Sequence, residues 1–265
     1  MNWLVQRFFL RFMRKLGSTV DGQRFMISQL VETEAMANGE GNMFPRLLDY
    51  VDEPRLHGLI QRHYDDEVRH EGLYRDVIQR IDSNVDAPQD IMVMRLLESM
   101  TRSFTDDPVT CDRDVFESYL FIQALEEQAE IDLPLLAGVF DSIDPVIAEV
   151  IRSVARDEKK HVRWCDPVVE AFAESPDDLR RSRRKFRAIA EFAHHRHNLL
   201  GADYAYRNGL VKGGALGRWA WRVLITPYYV CWGLWLKLLL GSEAPTIHLG
   251  VAQPGLVTAP LTSPS

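Results

Sequence analysis

The residues best suited to chemistry in this sequence form two copies of one short motif, Asp-Glu-x-x-His. The copies are Asp66, Glu67 and His70, and Asp157, Glu158 and His161. Glu67 lies 13 residues after Pro54. Glu158 lies at the same distance, 13 residues, after Pro145. A single Glu-x-x-His pattern is a weak signal because both residues are common on helices, but two copies in one frame indicate an internal repeat.

The spacing within each motif is typical of metal ligands on a helix. Residues three apart share one helix face. Glu67 and His70 can therefore reach one metal ion, and Glu158 and His161 can reach a second. Carboxylate and imidazole ligands suit iron and metals of similar hardness. Two divalent cations about 3.5–4 Å apart also need bridging negative charge, which helix bundles supply with one further Glu from each of two other helices.

The first of these additional glutamates is expected on the helix before the first motif. Glu34 is favoured because it shares an apolar stripe with Ile27, Leu30 and Val31, which turns it toward the core. Glu32 is the alternative, but its neighbours Ser28 and Gln29 indicate a more solvated face.

The second additional glutamate is expected before the second motif, where the periodicity allows two choices. Glu127 shares a stripe with Phe116, Leu120, Ala124 and Ile131. Glu126 follows a different stripe, formed by Val115, Tyr119 and Ile122. We favour Glu127 on this pattern and leave Glu126 open.

The resulting set resembles the ferritin-like di-iron carboxylate superfamily over residues 22–170. The matching positions are Glu34, Glu67, His70, Glu127, Glu158 and His161. The resemblance implies that these six side chains are direct ligands of two iron ions, with some of the glutamates bridging. A manganese pair or a mixed iron–manganese pair is also compatible with this ligand set.

The same resemblance suggests roles for three further residues. An Asp before the motif Glu often orients the histidine of the opposite half, so Asp66 is expected to serve His161, and Asp157 to serve His70. His63 lies one turn before Glu67 on the same face, and it resembles the extra histidine ligand of di-iron N-oxygenases. The alternative for His63 is a partly buried histidine with no metal role.

The helical patterns predict an all-α protein, a ferritin-like four-helix bundle with additional N- and C-terminal helices. Residues 1–20 form a basic amphipathic helix and residues 21–175 the di-metal bundle. Residues 176–241 form a C-terminal helical extension with an apolar, aromatic segment, and residues 242–265 are predicted to be disordered. The N-terminal helix either rests on an anionic membrane surface or packs on its own bundle.

Composition limits the other classes of function. The chain has 265 residues, 46% of them hydrophobic, which is enough for one sizeable core. Its formal net charge of −7 gives no reason to expect DNA as a partner. The three cysteines Cys111, Cys165 and Cys231 are far apart, which argues against a thiolate metal site and favours a cytoplasmic location.

These features predict a di-iron oxidoreductase of the monooxygenase type. Its expected partners are dioxygen, an external electron donor and a small apolar substrate, with peripheral membrane contact and a homodimer left open. Two alternatives belong to other classes. One is a ferroxidase or peroxide-scavenging ferritin-like protein, and the other is a metal-poor, membrane-associated interaction bundle.

Overall fold

The computed structural model describes residues 3–38, 43–93, 96 and 108–240. Within these ranges the chain is helical and contains no strand, which confirms the all-α class. The helices are α1 (Trp3–Gly17), α2 (Val20–Asn38), α3 (Met43–Tyr50), α4 (Pro54–Gln79), α5 (Asp112–Phe140), α6 (Pro145–Phe172), α7 (Pro176–Arg207) and α8 (Gly214–Leu240), with a 3₁₀ turn at Gln89–Ile91 between α4 and α5. The predicted disordered tail, residues 242–265, lies outside the described residues.

The two motif-bearing helices, α4 and α6, begin in the same way. The side chain of Glu53 accepts a hydrogen bond from the Leu56 amide at 2.6 Å. The side chain of Asp144 accepts one from the Val146 amide at 2.9 Å. In each helix a proline follows the cap directly, where its missing N–H costs nothing. The repeated start predicted from the sequence is therefore present, and it gives both motifs the same register from the helix end.

Four helices pack together around the two motifs. α5 packs along α6, α2 packs along α4, and α4 in turn contacts α6. The contacts are made by fully buried apolar side chains such as Ile60 of α4, Phe116 of α5 and Val154 of α6. α7 lies against α5 and also carries α8. The motif glutamates and histidines of α4 and α6 are therefore buried between these four helices.

The amphipathic helix α1 packs on its own protein, which is one of the two alternatives drawn from the sequence. Phe12 and Leu16 are buried, and the Phe12 ring lies 4.6 Å from the ring of Trp221 on α8. Arg11 and Arg14 are exposed on the opposite face. The part of the apolar face of α1 that Phe12 and Leu16 form is therefore buried against the rest of the chain.

Helix α8, by contrast, exposes large apolar side chains. Leu216, Trp219 and Leu238 are 75%, 63% and 80% exposed. None of the helices in the described ranges combines the length and apolar character that crossing a membrane requires. Peripheral membrane contact stays a prediction; among the described side chains, α8 carries several large apolar ones that are exposed.

The cap at α6 offers a test of the repeated helix start. We expect Asp144→Ala to lower the free energy of unfolding by about 1 kcal/mol, because two amides at the start of α6 lose their acceptor. Urea denaturation followed by circular dichroism measures the change. Asp82→Ala, at an exposed turn position, is the control and should stay within about 0.5 kcal/mol of the original protein. Equal losses in both variants would contradict the role of the cap.

Candidate metal centre

Seven ionisable side chains from four helices converge in the core between α2, α4, α5 and α6. They are 0–8% exposed. The set consists of Glu34 from α2, His63, Glu67 and His70 from α4, Glu126 from α5, and Glu158 and His161 from α6. Such groups are rarely buried together without compensation, because each ion loses its hydration.

The seven side chains fall into two groups, each compact enough to hold a metal ion. Ligand atoms of Glu34, His70 and Glu158 lie within 4.8 Å of one another. The same limit encloses the ligand atoms of the second group, which contains His63, Glu67, Glu126 and His161. The repeat predicted from the sequence therefore produces two adjoining candidate positions.

Glu67 and Glu158 lie between the two motif histidines. Glu67 Oε1 is 3.6 Å from His70 Nδ1 and 3.1 Å from His161 Nδ1. Glu158 places Oε1 3.4 Å from His70 Nδ1 and Oε2 3.2 Å from His161 Nδ1. Each motif glutamate thus reaches both histidines, where the sequence pattern alone pairs each with the histidine of its own helix. This is the arrangement that two bridging carboxylates require.

The choice of Glu127 over Glu126 was wrong. Glu127 points away from the cluster and is bonded to Arg187 of α7, with Oε2 2.6 Å from Arg187 Nε. Glu126 occupies the site, with Oε1 3.1 Å from His63 Nε2 and Oε2 3.5 Å from His161 Nδ1. The periodicity failed because α5 is buried on several sides, by α6, α7 and α1. Phe116, Leu120 and Ala124 of the Glu127 stripe are buried as fully as the Glu126 stripe, and only Ile131, 60% exposed, lies outside the core. Burial of a stripe therefore does not mark the face that carries the cluster.

The choice of Glu34 over Glu32 agrees with the geometry. Glu34 is 8% exposed and belongs to the cluster. Glu32 accepts a hydrogen bond from Gln89 at 3.1 Å on the exposed side of α2.

His63 is part of the cluster and is fully buried. Its ring centroid lies 4.1 Å from that of His161, and its Nδ1 has no hydrogen-bond partner among the described residues. Burial and the nearby His161 lower the pKa of His63 to about 3, so the ring is neutral at pH 7. Neutral imidazole is the form that binds metal. With His63 included, the second group offers two imidazoles and the first group only one.

Asp66 and Asp157 lie on the outer side of the motif histidines, each near the histidine of the opposite half. Asp66 Oδ2 is 3.4 Å from His161 Nε2. Asp157 Oδ2 is 3.6 Å from His70 Nε2, and it is bonded more closely to Arg69 at 2.6 Å. The contact expected from the resemblance is therefore present between Asp66 and His161. In the other half Arg69 intervenes, because its Nη2 also lies 3.2 Å from His70 Nε2. In each case the other nitrogen, Nδ1, faces the carboxylates.

The pKa shifts within the cluster indicate an excess of buried negative charge when no metal is bound. Burial, reinforced by the adjacent Glu67, raises the pKa of Glu34. Burial and the adjacent Glu126 raise the pKa of Glu158. Burial alone lowers the pKa of His161, but the adjacent carboxylates of Glu126, Glu158 and Glu67 reverse this and raise it. These directions favour protonation of Glu34, Glu158 and His161 when no cation is bound, whereas the pKa of Glu67 is lowered.

The donor atoms fit a pair of divalent cations. His70 Nδ1 and Glu67 Oε1 are buried without a hydrogen-bond partner, although they face the centre of the cluster. The four carboxylates Glu34, Glu67, Glu126 and Glu158 match the charge of two divalent ions. Carboxylate oxygen and imidazole nitrogen are both common ligands of divalent metal ions.

A cavity of about 250 Å³ adjoins the cluster. The four glutamates line it, whereas His63, His70 and His161 do not. The remaining wall is largely apolar and comes mainly from α1, α2 and α5, with contributions such as Phe9, Met26 and Leu133. A molecule in the cavity therefore meets the carboxylate side of the cluster.

Sequence reasoning did not predict this cavity. Its wall includes Asp132 of α5 and His194 and His197 of α7. No spacing in the sequence links these positions to the motifs, because the helices that bring them together are far apart in the chain.

The adjacent glutamates of α5 give a matched pair for testing the ligand assignment. We expect the original protein to bind two iron ions per chain and Glu126→Ala to lose at least one of them, because His63 and His161 lose their shared carboxylate. Glu127→Ala should retain both ions, since Glu127 is ion-paired with Arg187 and belongs to neither group of candidate ligands. Metal analysis of anaerobically loaded and desalted protein measures the content. Loss of metal from Glu127→Ala but not from Glu126→Ala would overturn the assignment.

Asp66 tests the role of the outer carboxylates. We expect Asp66→Asn to weaken metal affinity by about 10- to 100-fold while still allowing two ions at saturation, because only the orientation of His161 is disturbed. Competition with a chelator measures the affinity. Asp65→Asn, at the adjacent exposed position, should leave it unchanged. An unchanged affinity in Asp66→Asn would show that the contact with His161 is incidental.

Comparison with known proteins adds no relative to this picture. The chain matches no family model, no curated protein and no solved structure. What the site does must therefore follow from its own residues and geometry.

Proposed function

We propose that this protein is a di-iron oxidoreductase of the ferritin-like kind that uses dioxygen to oxidise a small, largely apolar substrate. The observation that carries the proposal is the placement of Glu67 and Glu158 between His70 and His161, beside an apolar cavity. A site built for structure alone has no need of such a cavity at its ligands.

Two bound ferrous ions would supply the electrons for reducing dioxygen, with further electrons from an external donor. The chain contributes position and charge. Glu67 and Glu158 would supply negative charge between the two metal ions. Glu34 would add a carboxylate at the first metal position and Glu126 one at the second. Asp66 keeps the His161 ring oriented by accepting from Nε2. The surrounding apolar core excludes bulk water from the reacting groups.

The cavity favours substrate oxidation over ferroxidase activity. A ferroxidase must admit hydrated ferrous ions repeatedly, which calls for a polar route to the site. Here the space beside the carboxylates is walled by side chains such as Phe9, Leu30 and Leu136, which suit an apolar molecule. Its volume, about 250 Å³, is close to the lower end of the range for small-molecule pockets, roughly 300–1,000 Å³.

Oxygen uptake after anaerobic loading with ferrous iron tests the proposal. We expect about two irons per chain and rapid uptake of dioxygen on mixing, with iron oxidation complete within the bound pair. Glu126→Ala should show only the slow uptake of iron in buffer, whereas Glu127→Ala should behave like the original protein. Fewer than about one iron per chain would support the metal-poor alternative.

Excess iron separates oxygenase from ferroxidase. When many equivalents of ferrous iron are added in air, we expect oxidation to stop near two per chain and the protein to remain free of a ferric mineral. Continued turnover with mineral formation, followed by ferric absorbance in the protein fraction, would favour the ferroxidase alternative and contradict the proposal.

A further inference from the structure

The cavity beside the carboxylates also has a polar end. Asp132, His194, His197 and Asn198 line it together with the apolar residues. Asp132 lies six residues after Glu126 on α5, which corresponds to about 9 Å along the helix axis. The cavity therefore extends from the metal ligands to a second group of polar side chains that the proposed chemistry does not use.

Hydrogen bonds fix the protonation of His194 within this group. Asn198 Nδ2 donates to His194 Nε2 at 2.8 Å, so the proton of the neutral ring lies on Nδ1. That nitrogen faces Asp132 Oδ2 at 3.5 Å. Gln128 Nε2 donates to the same Oδ2 atom at 2.9 Å. One oxygen of Asp132 is thus held in place, and the carboxylate has a fixed orientation.

Two acceptor atoms remain at this end of the cavity. Asp132 Oδ1 has no hydrogen-bond partner among the described residues, and 35% of the Asp132 side chain is accessible. His197 Nδ1 donates to the carbonyl of Ile91 at 2.7 Å, which leaves Nε2 with a lone pair. Burial lowers the pKa of His197 to about 4, so the ring is neutral at pH 7. A polar group facing an apolar cavity is unfavourable unless a ligand or water complements it.

The charge of the cavity wall limits which head group can bind beside Asp132 and His197. Among the described residues that line the cavity, none is a lysine or an arginine. Asp132 carries the charge at the polar end, and burial raises its pKa only to about 6. An anionic head group such as a carboxylate or phosphate would therefore meet repulsion without a compensating cation. A hydroxyl or an amine can instead donate a hydrogen bond to the free acceptors.

We propose that the cavity binds an amphiphilic substrate whose hydrogen-bond-donating head group, a hydroxyl or an amine, docks on Asp132 and His197, while its apolar chain extends toward Glu126. This inference rests on the proposed function, and it narrows the substrate from an apolar molecule to an aliphatic or aromatic alcohol or amine. The head group sets which carbon atom lies against the carboxylate cluster.

Isothermal titration calorimetry with four eight-carbon probes tests the head-group preference. The probes are 1-octanol, octylamine, octanoate and the methyl ether of 1-octanol, which accepts but cannot donate a hydrogen bond. We expect octanol, octylamine or both to bind at least about tenfold more tightly than the ether and octanoate. The inference would be overturned if octanol, octylamine and the ether bound with equal affinity, or if neither octanol nor octylamine bound. This result needs only the original protein.

Substitutions at Asp132 separate the two donors. Asp132→Leu should reduce the affinity of both donors to that of the ether. Asp132→Asn removes the charge but keeps an oxygen, so octylamine should lose at least about tenfold and octanol less. Glu130→Gln, at an exposed position two residues away on the same helix, is the matched control and should leave all affinities unchanged. Circular dichroism and the Tm verify that each variant is folded.

The same samples distinguish failure of this inference from failure of the proposed function. Titrations are performed on the metal-free protein and on the anaerobic iron-loaded protein, with iron content measured for each. Absence of bound iron contradicts the proposed function, whatever the probes do. Two irons per chain with an affinity for octanol unchanged by Asp132→Leu contradicts only the docking of the head group.

Discussion

The structure depends on one electrostatic constraint, the burial of four carboxylates in a single helical core. Glu34, Glu67, Glu126 and Glu158 are at most 8% exposed, and like charges at this separation repel strongly where water is scarce. Without cations, protons have to compensate, as the raised pKa values of Glu34 and Glu158 show. In the proposed metal-bound form, a pair of divalent ions would remove the need for those protons and satisfy the unpartnered atoms of His70 and Glu67. Metal binding and the stability of the core are therefore expected to be coupled.

The part of this site that could be predicted from the sequence is the part set by local geometry. The spacing of Glu67 and His70, and of Glu158 and His161, follows from the helix period alone, and the capped prolines place both motifs in the same register. The choice between Glu126 and Glu127 depended instead on which side of α5 faces the cluster. That side is decided by the packing of α5 against several other helices, which one stripe of apolar residues cannot reveal.

The remaining features depend on contacts between distant parts of the chain. His63 shares the helix face of Glu67, but its burial follows from the approach of α5 and α6. The cavity needs α1 and α7 as walls. The sequence of α1 was compatible with both a membrane surface and its own bundle, because an amphipathic helix has the same pattern in either setting. The packing of α1 on its own bundle is shown by tertiary contacts such as those of Phe8 and Phe12 with Trp221.

The two metal positions are inequivalent in a way that the repeat conceals. The repeat supplies each position with one motif histidine, but His63 adds a second imidazole only beside Glu126 and His161. All three histidines lie off the cavity wall, whereas the four glutamates form part of it. A molecule in the cavity therefore meets the carboxylate oxygens, while the imidazole of His161 is held from the other side by Asp66. In the proposed oxidation, this arrangement would place the carboxylate ligands, which can change their mode of binding, beside the bound molecule and the imidazole ligands against the core.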